Sequence, residues 1–203
     1  MNEFKFQKYK IRGVDYHWRQ VSWNILRRNI YVVARYQLIL DLIGKEIKNK
    51  KILDVGCGDG VLSYWLSGRG ANVTGLDTSK EAIEFAQKEK KSLNNPNFIV
   101  ASAYSLPFED KSFDYIVSSE VIEHLPDPQK MLSETKRVFN YKGKIIITTP
   151  LRFTHQPIDK MHYQEFFEED FKNLLSNYFK EFEIIKTHPL VWTEIQNKLI
   201  FRK

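Results

Sequence analysis

The chain has 203 residues, of which 42% are hydrophobic, 14% aromatic and 28% charged, with one cysteine and a formal charge of +6. The length suits one domain with an appendage, the apolar content excludes a disordered chain, and the aliphatic runs fall far short of the roughly 18 residues that a membrane-spanning helix needs. The positive charge is localised: residues 1–50 hold 11 Lys and Arg against 4 Asp and Glu, whereas residues 51–203 hold 20 against 21. Electrostatic attraction to an anionic partner therefore belongs to the first segment and not to the whole chain.

The first ten residues mix charge with aromatics and contain no apolar core, so no secretory signal is expected. A lone Cys57 cannot close an intramolecular disulfide, and the two features together predict a cytoplasmic protein. Residues 16–48 carry no Pro and one Gly, and Val32, Tyr36, Ile39 and Ile43 recur on one helical face. This predicts two helices or one kinked helix behind an aromatic, basic tail. Residues 1–48 are thus expected to form an N-terminal helical lid or appendage on a core of residues 49–203.

From Lys51 onward, short apolar runs alternate with helical stretches. Lys51–Val55, Asn72–Leu76, Asn97–Ala101, Phe113–Ser118 and Lys144–Thr149 each read as a buried strand. Between them, Thr78 and Glu81 form a capping box, and Asp127 stands as an N-cap before Pro128 at the first helical position. The alternation predicts a parallel α/β sheet with right-handed crossovers. Past Pro150, a polar stretch leads to a helix with Phe167, Phe171, Leu174, Leu175 and Tyr178 on one face. Two further strands are then expected, at Phe182–Thr187 and Glu194–Phe201.

The first strand runs into Asp54-Val-Gly56-Cys57-Gly58-Asp-Gly60, and Val61–Leu66 opens a helix. Glycines at alternate positions let a ligand approach the backbone at the carboxyl end of a strand, where open α/β sheets bind their ligands. Counting from Gly56, Val61 stands where the third glycine of a dinucleotide fingerprint belongs, and no Gly-Lys-Ser/Thr follows for a phosphate loop. Asp54 would repel a pyrophosphate and suits a ligand bearing an ammonium group. The second strand ends at Asp77, 17 residues beyond Gly60, where a carboxylate can accept from both hydroxyls of a ribose.

Taken together, Asp54-x-Gly-x-Gly-x-Gly60, Asp77, Leu106-Pro107-Phe108 ahead of Phe113-Asp114-Tyr115-Ile116-Val117, and Glu120-Val-Ile-Glu123-His124-Leu125 resemble the class I S-adenosylmethionine-dependent methyltransferases. Within that class the chain is most similar to the small-molecule type that includes the ubiquinone-pathway O-methyltransferases, over roughly residues 50–180. The resemblance implies a Rossmann-like, seven-stranded, mostly parallel sheet with helices on both faces and an antiparallel last strand. It implies S-adenosylmethionine as cofactor and S-adenosylhomocysteine as product. Asp54, Gly56, Cys57, Gly58 and Gly60 would hold the methionine end, and Asp77 with Thr78 the ribose. Ser102, Ala103 and Tyr104 would border the adenine, with Ser119 in the same cofactor-binding set. One departure stands out: Ser102 occupies a position where relatives usually carry an acid.

Methyl transfer needs the acceptor, methyl carbon and sulfur held in line in a water-poor pocket, and a hydroxyl acceptor must also lose a proton. His124 and His162 are the candidate catalytic residues. In some relatives Glu-x-x-Glu-His coordinates a divalent cation, so Glu120, Glu123, His124 and His162 form a candidate metal set, provided the segment is helical. Ordinary hydrogen bonding accounts for the same residues without an ion. His17 and His155 could line the acceptor site, and Arg19, Arg27, Arg28 and Arg35 could bind an anionic acceptor or form a solvated face. The expected function is methyl transfer to a small molecule, anionic or aromatic, most plausibly at oxygen. The alternatives are an RNA 2′-O-methyltransferase with a divalent metal and a non-catalytic cofactor-binding subunit.

Overall fold

The computed structural model describes residues 8–24, 26–89, 95–152, 159 and 161–187. Three helices precede the sheet: α1 (Lys8–Arg12), α2 (Tyr16–Gln20) and α3 (Ile30–Ile43). The expected aromatic tail thus contains a short helix of its own. Asn29 caps α3 by accepting from the Tyr31 and Val32 amides, and Gly44, at φ +91°, ends it with its amide donating to the Leu40 carbonyl.

Five strands follow, β1 (Lys51–Val55), β2 (Asn72–Asp77), β3 (Asn97–Val100), β4 (Tyr115–Ser119) and β5 (Ile145–Thr148), interleaved with α4 (Val61–Ser67), α5 (Lys80–Glu89) and α6 (Pro128–Val138). A 3-10 turn, Ile122–His124, follows β4, and α7 (Glu168–Ser176) closes the described helices. Asp127 caps α6 as its sequence predicts, accepting from the Lys130 amide. At α5 the cap falls one residue later than expected: Ser79, not Thr78, accepts from the Ala82 amide and donates to Glu81.

The strands pair in the order β3-β2-β1-β4-β5, all parallel. The chain runs outward from β1 to β3 on one side and resumes at β4 on the other. The carboxyl ends of β1 and β4 therefore flank the crevice at which such sheets bind ligands. Side chains alternate across the pleat. Leu53, Val55, Leu76 and Ile116 pack with Met131, Leu132, Phe171 and Leu175 from α6 and α7 on one face. Ile52, Val73, Val117 and Ile146 pack with α3 and α4 on the other. Val32, Tyr36, Ile39 and Ile43, the predicted face of α3, are buried in this second layer, so α3 is part of the core packing.

The seven-stranded sheet with an antiparallel last strand needs correction: the described residues form five strands, none of them antiparallel. Phe182–Thr187 is without regular structure, and Phe182 and Ile185 are exposed. A strand exists by pairing, and no described segment pairs with this one. The other expected strand, Glu194–Phe201, lies outside the described residues. Among the described residues no helix is long and apolar enough to cross a membrane.

Candidate functional site

At the carboxyl end of β1 the chain turns back on β2, and the amides of Gly56 and Cys57 both donate to the Leu76 carbonyl, at 2.8 and 2.9 Å. Gly56 has φ +73°, and a Cβ there would collide with the Val121 side chain just past β4. Gly58 has φ +54°, and a Cβ there would meet the Tyr9 hydroxyl. Both positions need glycine for conformation and for space. The Gly58 amide donates to Asp77 Oδ2 at 3.0 Å and the Ser79 amide to Asp77 Oδ1 at 2.8 Å, so the Asp77 carboxylate is fixed by two backbone donors.

A cavity of about 450 Å³ opens beside this loop. Asp54, Gly56 and Cys57 line it from the end of β1 and the loop after it, and Asp77 and Thr78 from the end of β2. Ser102, Ala103 and Tyr104 line it from beyond β3, and Ser119 from the end of β4. Gly58 and Gly60 are not among the lining residues: Gly58 shapes the loop and Gly60, left-handed at φ +83°, starts α4. Asp54 is buried and accepts from Ser63 Oγ at 2.6 Å. Burial, with a smaller contribution from the Asp77 charge, pushes its carboxyl up to about 7 against the pull of the Ser63 hydrogen bond. Burial raises Asp77 too, opposed by its backbone hydrogen bonds. Ser102 Oγ accepts from the Tyr104 amide at 3.1 Å, which leaves its hydroxyl proton to donate, the reverse of the role an acid would play there.

The second half of the site gathers at the end of β4. Glu120 has φ +58°, and residues 122–124 form a 3-10 turn and not an α-helix. The expectation that Glu120, Glu123 and His124 share one helical turn is thereby corrected. Glu120 turns away to Arg35, 3.4 Å distant, and accepts from Thr148 Oγ1 at 3.3 Å, while Arg35 Nε donates to Ser119 Oγ at 3.0 Å. Glu123 is fully buried. Its Oε2 accepts from Thr149 Oγ1 at 3.1 Å, but among the described residues its Oε1 has no hydrogen-bond partner.

The Glu123 carbonyl accepts from the amides of both Tyr163 and Gln164, at 2.9 and 3.0 Å, and this brings His162 over His124 with ring centroids 5.0 Å apart. His124 Nδ1 lies 3.0 Å from the Met161 carbonyl, which can only accept, so this nitrogen carries the proton. His162 Nδ1 lies 2.6 Å from Glu165 Oε1, and Nε2 is its ring nitrogen left for a ligand. One donor atom each from Glu123, His124 and His162 lies within 4.8 Å of the others. Burial, then the neighbouring Glu120 charge, raises the Glu123 carboxyl to about 8, and burial lowers His124 to about 4.

The N-terminal helices close over both halves. Lys8, Tyr9 and His17 line the cavity. Asp59, fully buried in the glycine loop, accepts from the His17 amide at 2.6 Å and the Trp18 amide at 3.4 Å, and its Oδ1 lies 3.1 Å from His17 Nδ1. Lys8 Nζ lies 3.0 Å from His17 Nε2, and burial, followed by the Arg35 charge, lowers its amine to about 8. Tyr9 belongs to the aromatic N-terminal segment expected as a lid, whereas sequence reasoning missed Asp59, Lys8, Thr149 and Glu165. Of these only Asp59, a carboxylate inside a glycine loop, carried a local signal. Arg19, Arg27 and Arg28 do not line the cavity, whereas Arg35 reaches its edge through Ser119 and Glu120. His155 lies outside the described residues.

The family model described as "Methyltransferase domain" matches residues 46–197. A ubiquinone biosynthesis O-methyltransferase of Coxiella burnetii is 38% identical over 105 residues, which are 51% of this chain and 44% of that protein. A demethylmenaquinone methyltransferase of Staphylococcus haemolyticus is 32% identical over 148 residues, 71% of this chain and 61% of that protein. The chain thus spans less than two thirds of either curated relative. Among solved structures, a protein from Pyrococcus horikoshii superposes with a TM-score of 0.67 at 25% identity, over 86% of this chain and 93% of that one. The fold alone is shared with a Haemonchus contortus phosphoethanolamine N-methyltransferase solved with S-adenosylmethionine, at a TM-score of 0.71, 20% identity, and 88% and 44% coverage. With the parallel sheet, the glycine loop and the acid at the tip of β2, the family-model match over residues 46–197 establishes that the chain belongs to the methyltransferase-domain family, the class I S-adenosylmethionine-dependent methyltransferases.

Proposed function

We propose that this chain transfers a methyl group from S-adenosylmethionine to an oxygen of a small-molecule acceptor, aided by a divalent cation held by Glu123, His124 and His162. The carrying observation is the orphaned, buried Oε1 of Glu123 beside two imidazoles, directly past the strand whose end lines the cavity. A buried carboxylate oxygen without a donor is costly, and a cation coordinated by it and two imidazoles removes that cost. The cavity suits the cofactor as well: Asp54 and Asp77 are among its lining residues, and it is cradled by Gly56, where a side chain would obstruct the loop.

In this reading Asp54 takes the ammonium end of the cofactor, Asp77 accepts from the ribose hydroxyls, and Ser102 to Tyr104 border the adenine. S-adenosylmethionine supplies an electrophilic methyl on a sulfonium, and a divalent cation supplies Lewis acidity that lowers the pKa of an acceptor hydroxyl. The protein's contribution is positioning and exclusion of water. With the cofactor bound, the acceptor oxygen would bond to the methyl carbon as the carbon–sulfur electron pair passes to sulfur, leaving neutral S-adenosylhomocysteine, and the hydroxyl proton would pass to solvent water. Lys8, Tyr9 and His17 line the cavity, with His17 clasped by Asp59. The single, buried, free cysteine supports a reducing, cytoplasmic setting.

Titration calorimetry with S-adenosylhomocysteine tests the first half of the proposal and manganese binding followed by electron paramagnetic resonance tests the second. Micromolar cofactor binding and a bound, low-symmetry manganese signal are expected. No cofactor binding at high concentration overturns the methyl-transfer reading, and cofactor binding without manganese overturns the cation. Turnover that appears only with a second protein present would make the chain a partner subunit. Salt-sensitive capture of short RNAs, with methylation of their ribose, would shift the acceptor to RNA.

A further inference from the structure

The loop between α2 and α3 carries two large apolar side chains outward. Its base is closed by the Asn29 amide donating to the Gln20 carbonyl at 2.8 Å. Inside it, the Asn24 carbonyl accepts from the amides of Arg27 and Arg28, at 2.9 and 3.0 Å, and Asn24 Oδ1 accepts from the Leu26 amide at 3.0 Å. Asn24 is thus bound to its own backbone, while Trp23 and Leu26 stand 95% and 93% exposed, the most exposed of the large apolar side chains among the described residues. A single exposed apolar residue needs no explanation. Two of them held out by one hydrogen-bonded turn form a feature the fold itself does not use.

Cations surround the pair. The Arg28 guanidinium lies over the Trp23 ring, 6.0 Å from its centroid, and Arg27 shares a shallow depression with Tyr16 and Arg19. Among the described residues neither Arg27 nor Arg28 forms an ion pair with a carboxylate, and both sit in the segment that holds the chain's basic excess.

We propose that this loop docks the protein on an anionic lipid surface, with Trp23 and Leu26 entering the headgroup boundary and Arg27 and Arg28 meeting lipid phosphates. An indole and an aliphatic side chain beside arginines match the two requirements of peripheral binding, apolar insertion plus charge attraction. The tip is too small for a stable protein interface, which needs roughly 1,000 Å² of buried area or more. Arg28 meets one face of the Trp23 ring and leaves the other in solvent. Because α2 also carries His17 into the cavity wall, docking would hold the cavity next to the bilayer.

Co-sedimentation of the full chain with vesicles of phosphatidylcholine containing a third phosphatidylglycerol, at low and high salt, tests this. Partition onto the anionic vesicles is expected, weaker at high salt and weaker still on phosphatidylcholine alone. Replacing Trp23 and Leu26 together with Ala lowers it by about tenfold or more, and Arg27→Gln and Arg28→Gln lower it by about fivefold each. Tryptophan emission shifts to the blue on the vesicles, and Trp23→Phe abolishes the shift. Unchanged S-adenosylhomocysteine titrations and circular dichroism establish that the variants are folded. No partition at low salt overturns the proposal, as does partition that the Trp23 and Leu26 variant leaves intact. A dimer or an RNA complex lost in that variant, in the absence of vesicle binding, overturns it too and gives the loop a different partner.

Discussion

The two halves of the site are built in different ways. The half at β1 and β2 is local: Asp54, the glycine loop and Asp77 come from one strand-loop-helix-strand unit, and the amides of Gly56, Cys57 and Gly58 tie the two strand ends together. The half past β4 is assembled at long range. Arg35 comes from α3, Glu120 and Glu123 from the turn after β4, Thr149 from beyond β5 and His162 from a segment ahead of α7. The first half is a preformed cradle. The second depends on several segments arriving together, and the two touch where Gly56 packs on Val121.

Perturbing one half while reading the other sharpens this contrast. The largest effect is expected at Asp54. Its carboxyl is raised from an ordinary 3.8 to about 7 in the folded state. The folded protein therefore holds a proton that the unfolded chain releases above about pH 4, and stability falls as pH rises through 7. Asp54→Asn removes that loss, on the order of 4 kcal/mol at pH 8 and little at pH 4, while weakening cofactor binding. Thermal melts at the two pH values check the sign, and equal shifts at both would refute it.

Glu123→Gln is expected next. It should lower manganese affinity by about 100-fold, within the range in which ligand sets tune metal sites, and leave S-adenosylhomocysteine affinity within about threefold. Comparable loss of both would mean that the halves are one unit. Asp77→Ala is the converse, with about 30-fold weaker cofactor binding, roughly 2 kcal/mol for a charged acceptor, and manganese binding unaltered. The smallest effect is that of Asp59→Asn, which weakens the clasp on His17 and Trp18. A stability loss of about 1–2 kcal/mol is expected, with faster amide exchange confined to α1 and α2. Exchange that rises equally across β1 would place Asp59 in the core and not in a clasp.

The same division explains what could be read from the sequence. Strands β1 to β5 were legible because each is a short apolar run between turn signals, and Asp54 and Asp77 because their spacing belongs to one unit. Glu120 was misjudged because spacing assumes a helix, and the left-handed backbone at that residue is set by tertiary contacts that spacing does not encode. Phe182–Thr187 reads as a strand by composition, yet β structure also requires a partner. The Asp59 clasp and the Glu165 contact join residues brought together by folding or set within a loop, and no periodicity announces them.

One further consequence concerns the Glu123 carbonyl. The segment bearing His162 is hung on that main-chain oxygen through the amides of Tyr163 and Gln164, bonds that any residue at position 123 can make. The frame under His162 does not depend on the Glu123 side chain, although His124 Nδ1 adds a bond to the Met161 carbonyl. Exchanging Glu123 for Asp, His or Cys would retune which ion is preferred while the frame stays in place, so the cluster can be re-specified without refolding the protein.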